Sequence, residues 1–237
     1  MISDFFDDFA VPDFLQKEFE KDEWYLLIAN LKSILDKQLK ENIVFSDAKN
    51  LSINGKVYIG KGCTIGENVV IDGPVYIADN VEIGPAAYIR AGSVISEHCS
   101  VGHAAEVKNT VMMSGSKVAN HVFLGDSIIG KDARLGGHCE TANRKFSQEI
   151  IDFIYKDNKL HTGLDKLGLI LGEGSRLGGG VFTSPGTMIG KNTFVSTMAS
   201  VGGYIPANMF VKNENSVKIV ANNFTGELKH TNLFERA

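Results

Sequence analysis

Prolines number 5 and cysteines 3 among the 237 residues, and each scarcity excludes a class of protein. So little proline argues against a collagen-like or low-complexity chain. Cys63, Cys99 and Cys139 give neither a paired framework nor a CxxC zinc pattern, so no disulfide scaffold is expected and a reducing compartment fits. No apolar run approaches the ~18 residues of a membrane-spanning helix, and the opening MISDFFDDFAVPDF carries acids where a secretory leader carries positive charge. A cytoplasmic, soluble chain with no membrane partner is the expectation. Excess positive charge is missing as well. The 24 Lys plus Arg face 28 Asp plus Glu, a net charge of -4, so no nucleic-acid partner is expected from charge.

What the chain has in excess is glycine, 25 residues or roughly 11% against a usual ~7%. Glycine without proline suggests repeated sharp turns, and the sequence repeats at a fixed period. Aliphatic residues recur every six positions at Ile53, Ile59, Ile65, Ile71, Ile77, Ile83, Ile89, Ile95, Val101 and Val107. The step shortens to five between Val107 and Met112 and between Leu124 and Ile129, with six-residue steps elsewhere through Thr141. After an interruption it resumes at Leu171, Leu177, Thr183, Ile189, Val195 and Val201. A helix would place apolar residues at spacings of about 3 and 4, and a half-buried strand at about 2. A period of six fits a β-solenoid, in which one residue of each short strand points inward and stacked coils, ~4.8 Å apart, satisfy one another's backbone groups.

The flanks read differently. Residues 1–50 form an N-terminal helical segment, in which Trp24, Leu27, Ile28, Leu31, Ile34, Leu35 and Leu39 recur at helical spacing. An amphipathic helix over Asp22 to Leu39 is predicted, capping the first coil or packing beside it. The β-helix covers 51–206 with an inserted loop at 144–168, and 207–237 reads as a C-terminal tail.

These hexads resemble the hexapeptide-repeat acyltransferases. The resemblance implies a mainly β fold, a left-handed parallel β-helix with three hexads per coil, and a homotrimer. Counting three units per coil, with both five-residue steps included, stacks Arg90 on Lys108 one strand spacing away. Two like charges stacked this way favour an anion between them, a phosphate or a carboxylate. The other outcome is that they splay into water or pair with Glu82 or Glu106. The same counting puts His103, Asn120 and Gly137 in one column and Ala104, His121 and His138 in the next, making His121 and His138 neighbours. A histidine titrates near neutrality and can serve as a general base.

From Arg90 to Gly203 the chain more specifically resembles the C-terminal acetyltransferase domain of the bifunctional sugar-1-phosphate nucleotidylyltransferase/acetyltransferases. EVKNTVMMSGSKVANHVFLGDSIIGKDARLGGHCETANRKF carries both five-residue steps together with the Lys and Asn positions of that domain. The nucleotidylyltransferase half is absent from these residues, so uridylyl transfer is not expected. The resemblance implies acetyl transfer from acetyl-CoA to an amino-sugar phosphate or nucleotide sugar, with no metal required. It also implies a phosphate clamp of Arg90, Lys108, Asn143 and Lys166, and an acetyl-CoA channel past Gly137, Gly179 and Thr197. Three positions depart from the pattern. Asn120 stands where the family has its catalytic histidine, Phe123 where it has a tyrosine, and Arg134 where it has a sugar-contacting asparagine. His121 and His138 are therefore the candidate bases, with His103 nearby and Glu140 or Asp126 as orienting carboxylates.

Two other readings stand beside this one. A trimer that kept the clamp and lost the base would bind a sugar phosphate or nucleotide sugar without turning it over, as a sensor or scaffold. His98 and His103, with Cys63 as a third ligand, resemble the zinc site of the γ-class carbonic anhydrases on this same fold.

Overall fold

Each repeat unit contributes one short strand and one corner, and the strands stack into three parallel sheets. The computed structural model describes residues 1–45 and 50–214. A first face of nine strands runs from Ile43–Val44 to Tyr204–Ile205. A second face of eight runs from Ser52–Asn54 to Ser200–Val201, and a third of eight from Thr64–Ile65 to Phe210–Val211. Register keeps the repeat positions aligned, so Ile71 lies between Ile53 and Ile89. The parallel β-helix expected from the six-residue period is what forms. Its axial core is the repeating aliphatic set, with Ile59, Ile71, Ile77, Ile89 and Ile95 wholly buried. The glycines serve the corners: a Cβ on Gly84 would lie 2.6 Å from the backbone nitrogen of His103 in the next coil.

Both five-residue steps and the insertion fall at one corner, between the second and first faces. Asn109 and Thr110 join Glu106–Lys108 to Val111–Met112, and Asp126 and Ser127 join Phe123–Gly125 to Ile128–Ile129. The shortened turns keep a left-handed residue, as the six-residue corners do, at φ 48 for Asn109 and φ 49 for Asp126. Asn and Asp tolerate that region better than other non-glycine residues. One coil later the chain leaves after Thr141 and returns at Leu169, and the excursion carries an antiparallel hairpin, Phe153–Tyr155 with Asn158–Leu160.

The N-terminal helices do not cover the end of the solenoid, although Ile43–Val44, which follows them, pairs with Val57–Ile59 as the end strand of the first face. Helix α1 (Asp13–Phe19), a 3-10 turn at Trp24–Leu26 and helix α2 (Leu27–Gln38) lie against the outside of the first face. The helix predicted from Asp22 starts later, because Trp24–Leu26 forms a separate turn. The outward column Val94, Val111, Ile128, Ile170 and Met188 runs in register over five successive strands, and all five are buried. Phe5, Leu15, Trp24, Ile28 and Leu31 join them in a second apolar core. The tip of the segment is tied down by Asp4, which accepts from the hydroxyls of Tyr155 and Tyr204 and pairs with Lys156 at 3.0 Å. The Tyr155 hydrogen bond and then Lys156 outweigh partial burial and hold its carboxyl below the usual range.

Strand Phe210–Val211 pairs with Phe194–Val195. Positions 215–237 of the expected tail lie outside the described residues. Among the described residues no helix is long and apolar enough to cross a membrane.

Phe5 is fully buried among Phe6, Trp24, Tyr155 and Tyr204. Phe5→Ala is expected to cost about 3–5 kcal/mol in urea denaturation. A loss below about 1 kcal/mol would mean that the N-terminal segment is not docked on the solenoid.

Candidate functional site

Arg90 and Lys108 are register partners on the second face, each closing its strand at the corner where the short steps occur. Each cation already holds a carboxylate. Arg90 donates to Glu106 at 2.6 Å, with both side chains more than a third exposed, and its guanidinium lies 5.6 Å from the Tyr88 ring centroid. A pair that exposed contributes at most about 1 kcal/mol, so a stronger anion can displace Glu106. Tyr88 in turn donates to Asp72, which also accepts from Asn54 at 2.8 Å, and these two hydrogen bonds depress the Asp72 carboxyl.

The second pair is different in kind. Asp126 is 4% exposed, and its carboxylate collects Lys108 at 2.8 Å, Asn109 at 2.8 Å and Asn143 at 2.6 Å. It occupies the first turn position of the short step itself, in left-handed backbone one residue after Gly125. Gly125 itself sits beside Lys108 in the outward column. A Cβ there would meet the Phe123 ring at 2.8 Å and the Asn143 amide at 2.9 Å, so glycine leaves a notch that those two side chains border. Because the chain departs into the insertion after Thr141, the Gly125 N–H is taken by the Thr141 hydroxyl at 3.0 Å. Lys166, at the end of the insertion, lines a cleft of about 220 Å³ with Asp126, Asn109 and residues of α2. Of the sequence candidates, Arg90, Lys108, Phe123, Asn143 and Lys166 thus share one neighbourhood.

The histidines gather at the opposite edge of the same face. His121 stacks on His138 with ring centroids 5.2 Å apart and planes at 10°, and it meets His103 edge-on at 5.0 Å. All three are exposed. Asn120 accepts the His103 backbone N–H at 2.9 Å through its amide oxygen, so that side chain braces the corner. The expected orienting carboxylate is not Asp126, whose oxygens face Lys108, Asn109 and Asn143. Among the described residues no carboxylate hydrogen bonds to His121 or His138, and Glu140 is exposed on the neighbouring strand. Gly137 and Gly179 follow one another in successive coils at this corner, where the Gly180 N–H donates to the Gly137 carbonyl. Thr197 is the next residue in that column, packed close to Gly178.

Arg134 is not with the clamp. It lies on the third face, in register between Lys117 and Arg176, and all three are exposed. The Arg176 guanidinium sits 6.0 Å from the Phe194 ring. His98 and His103 occupy turns at the two ends of strand Ser100–Val101, so their sequence spacing does not bring them together. Cys63 donates to the Ala78 carbonyl, and burial pushes its thiol up, away from the thiolate that binds zinc. Among the described residues no three His, Cys, Asp or Glu side chains gather as a metal site.

Sequence reasoning missed Asn109 as the link between Asp126 and α2, and it assigned Asp126 to the wrong partner. The signal was present, since each occupies the first turn position of a five-residue step.

Residues 71–205 match the family described as the GMPPB C-terminal domain. A relative named Bifunctional protein GlmU, from Methanococcus aeolicus, is 34% identical over 196 residues, which is 83% of this chain and 47% of that protein. A putative uncharacterized acetyltransferase, YaiX of Escherichia coli K12, is 32% identical over 105 residues, 44% of this chain and 46% of that one. A bifunctional sugar-1-phosphate nucleotidylyltransferase/acetyltransferase of Sulfurisphaera tokodaii is 35% identical over 85 residues, 36% of this chain and 21% of that one. The chain spans about half the length, or less, of these curated relatives.

Lys108→Met leaves the nearly buried Asp126 carboxylate without its counter-charge and is expected to destabilise the fold by ~3 kcal/mol in urea denaturation. Adding Asp126→Asn is expected to recover most of that loss. Additive losses in the double variant would show that the two side chains do not interact.

Proposed function

The chain belongs to the family of the GMPPB C-terminal domain, and from that premise we propose that it is an acyltransferase, moving an acetyl group from acetyl-CoA to an amino-sugar phosphate or nucleotide sugar as a homotrimer. The observation that carries this reading is the in-register pair Arg90 and Lys108, with Asn143 beside it and Lys166 at the adjoining cleft. Stacked cations at one strand spacing suit a phosphate, whose oxygens take charge-assisted hydrogen bonds from both. Phe123, bordering the notch at Gly125, offers an apolar surface to a sugar ring.

Acetyl-CoA when bound supplies the thioester. The amine nitrogen forms a bond to the carbonyl carbon, the carbon–sulfur bond breaks, and the amine's proton passes through a base to the departing thiolate. The amide of Asn120 does not accept a proton at neutral pH, so this reading gives the base's role to an imidazole, which titrates near neutrality. His121 and His138 are the candidates, exposed and stacked at the corner beside Gly137 and Gly179. Gly137 has only the Asn120 carbonyl within 4 Å of where a Cβ would stand, so the backbone is bare to an extended thioester arm. The ladder Lys117, Arg134 and Arg176 on the adjoining face suits the phosphates of the same donor.

The homotrimer of this reading comes from the family resemblance, and one distance supports sites shared between copies. Arg90 and Lys108 end their strands, whereas His103, His121 and His138 precede theirs, so the two sets lie on the order of 15 Å apart at ~3.3 Å per residue. In a 2-amino sugar 1-phosphate the amine and the phosphate sit on neighbouring ring carbons, only a few ångström apart. In this reading a clamp and a base that serve one such molecule come from neighbouring copies, and the first face, covered by the N-terminal segment, stays outside that contact.

One observation favours the non-catalytic reading, in which the trimer binds a sugar phosphate or nucleotide sugar as a sensor or scaffold. Asn120 fills the histidine position of the resemblance and is engaged with the His103 backbone. Thiol release from acetyl-CoA with glucosamine 1-phosphate and with nucleotide amino sugars separates the two. The acyltransferase reading expects turnover, a KM for the amino sugar raised about tenfold or more in Arg90→Met with the acetyl-CoA KM unchanged, and kcat lowered by about 10²–10⁴ in His121→Ala or His138→Ala. No thiol release from pH 6 to 9, alongside thermal stabilisation by the sugar ligand, would transfer the assignment to the binding protein.

A further inference from the structure

Helix α2 runs along the corner that carries the clamp, and two bonds fix where it sits. The Ile28 carbonyl accepts from the Asn109 side chain at 3.1 Å, beside Lys108 in the fourth coil. Eight residues on, the Asp36 carbonyl accepts from Lys56 at 2.9 Å, at the same corner of the first coil. The helix advances ~1.5 Å per residue and the coils ~4.8 Å each, so ~12 Å of helix spans ~14 Å of solenoid and the two repeats match. Lys32 lies midway between the anchors, one turn from Ile28. It lines both clefts of the corner, the one of about 220 Å³ with Asp126 and Lys166 and one of about 200 Å³ with Asp72, Tyr88, Arg90 and Lys108.

Charge decides what Lys32 does there. Around the clamp the carboxylates Asp72, Glu106 and Asp126 equal in number the cations Arg90, Lys108 and Lys166. Asp165, also in the wall, faces Arg144 at 3.6 Å. Without Lys32 the corner has no surplus charge for a dianionic phosphate. Lys32 is exposed, and among the described residues it has no carboxylate partner. We propose that Lys32, carried by the N-terminal helix, is a substrate-binding residue that closes on the phosphate held between Arg90 and Lys108, making the N-terminal segment the determinant of selectivity for phosphorylated sugars. This rests on the reading of the clamp as a sugar-phosphate site.

The test is calorimetric titration of the full chain with glucosamine 1-phosphate and, separately, with acetyl-CoA. Lys32→Met is expected to weaken glucosamine 1-phosphate binding about tenfold and Lys32→Glu more, while Lys32→Arg stays within about threefold of the parent. Acetyl-CoA binding and the melting temperature without ligand are expected to be unchanged in all three. Glucosamine 1-phosphate binding that is equal in the parent and in Lys32→Met overturns the role of Lys32 and leaves the clamp intact. A parent chain that binds acetyl-CoA and no glucosamine 1-phosphate overturns the sugar-phosphate reading, and the role of Lys32 with it.

Discussion

The carboxylate of Asp126 accepts from Lys108, Asn109 and Asn143, and each of those side chains brings a different part of the chain to one point. Lys108 supplies a clamp cation, Asn143 opens the insertion, and Asn109 reaches on to the Ile28 carbonyl of α2. A carboxylate this buried needs all its partners, because a charge removed from water and left unpaired is costly. The requirement orders the corner: helix, insertion and strand ends are held in the arrangement that satisfies Asp126, and the exposed groups Arg90, Lys32 and Lys166 are displayed around it.

The solenoid makes such an arrangement possible with short strands. Stacking at a fixed spacing turns a linear sequence into columns, so that residues about eighteen apart become neighbours. A five-residue step changes that relation at one corner without disturbing the inward residues of the next strand. Here two consecutive coils take the short step at the same corner and the third takes the insertion. Irregularity is concentrated where the regular repeat would otherwise leave only shallow turns. The opposite edge of the face keeps the six-residue step and presents the imidazoles of His103, His121 and His138 in a row. Two edges with different chemistry thus lie at the two ends of the same short strands.

Much of this is legible in the sequence. The period of six specified the inward residues, and with the three hexads per coil that the resemblance implies it also stacked Arg90 on Lys108. The stacking of His121 on His138 came from the same count. Pairing of Arg90 with Glu106 was one of the two outcomes that the stacked charges allowed. What the count does not carry is anything outside the repeat. The outward column Val94, Val111, Ile128, Ile170 and Met188 reads as ordinary sheet residues, and only docking shows that it is the floor of a second core. Lys32 has no sequence signal, because its place beside Arg90 depends on the helix being anchored at Ile28 and Asp36. Arg134 lies on the third face, beside the inward Leu135 that the same count assigns to the units beginning at 101, 118 and 135.

The central claim is that the corner around Asp126 holds a sugar phosphate. The most direct measurement is a crystal structure of the chain with glucosamine 1-phosphate and coenzyme A both bound. The account predicts the phosphate between Arg90 and Lys108, with Glu106 released from Arg90 and the thiol facing His121 and His138 of a neighbouring copy. A sugar phosphate lodged instead on the Lys117, Arg134 and Arg176 ladder, with Arg90 still paired to Glu106, would contradict it.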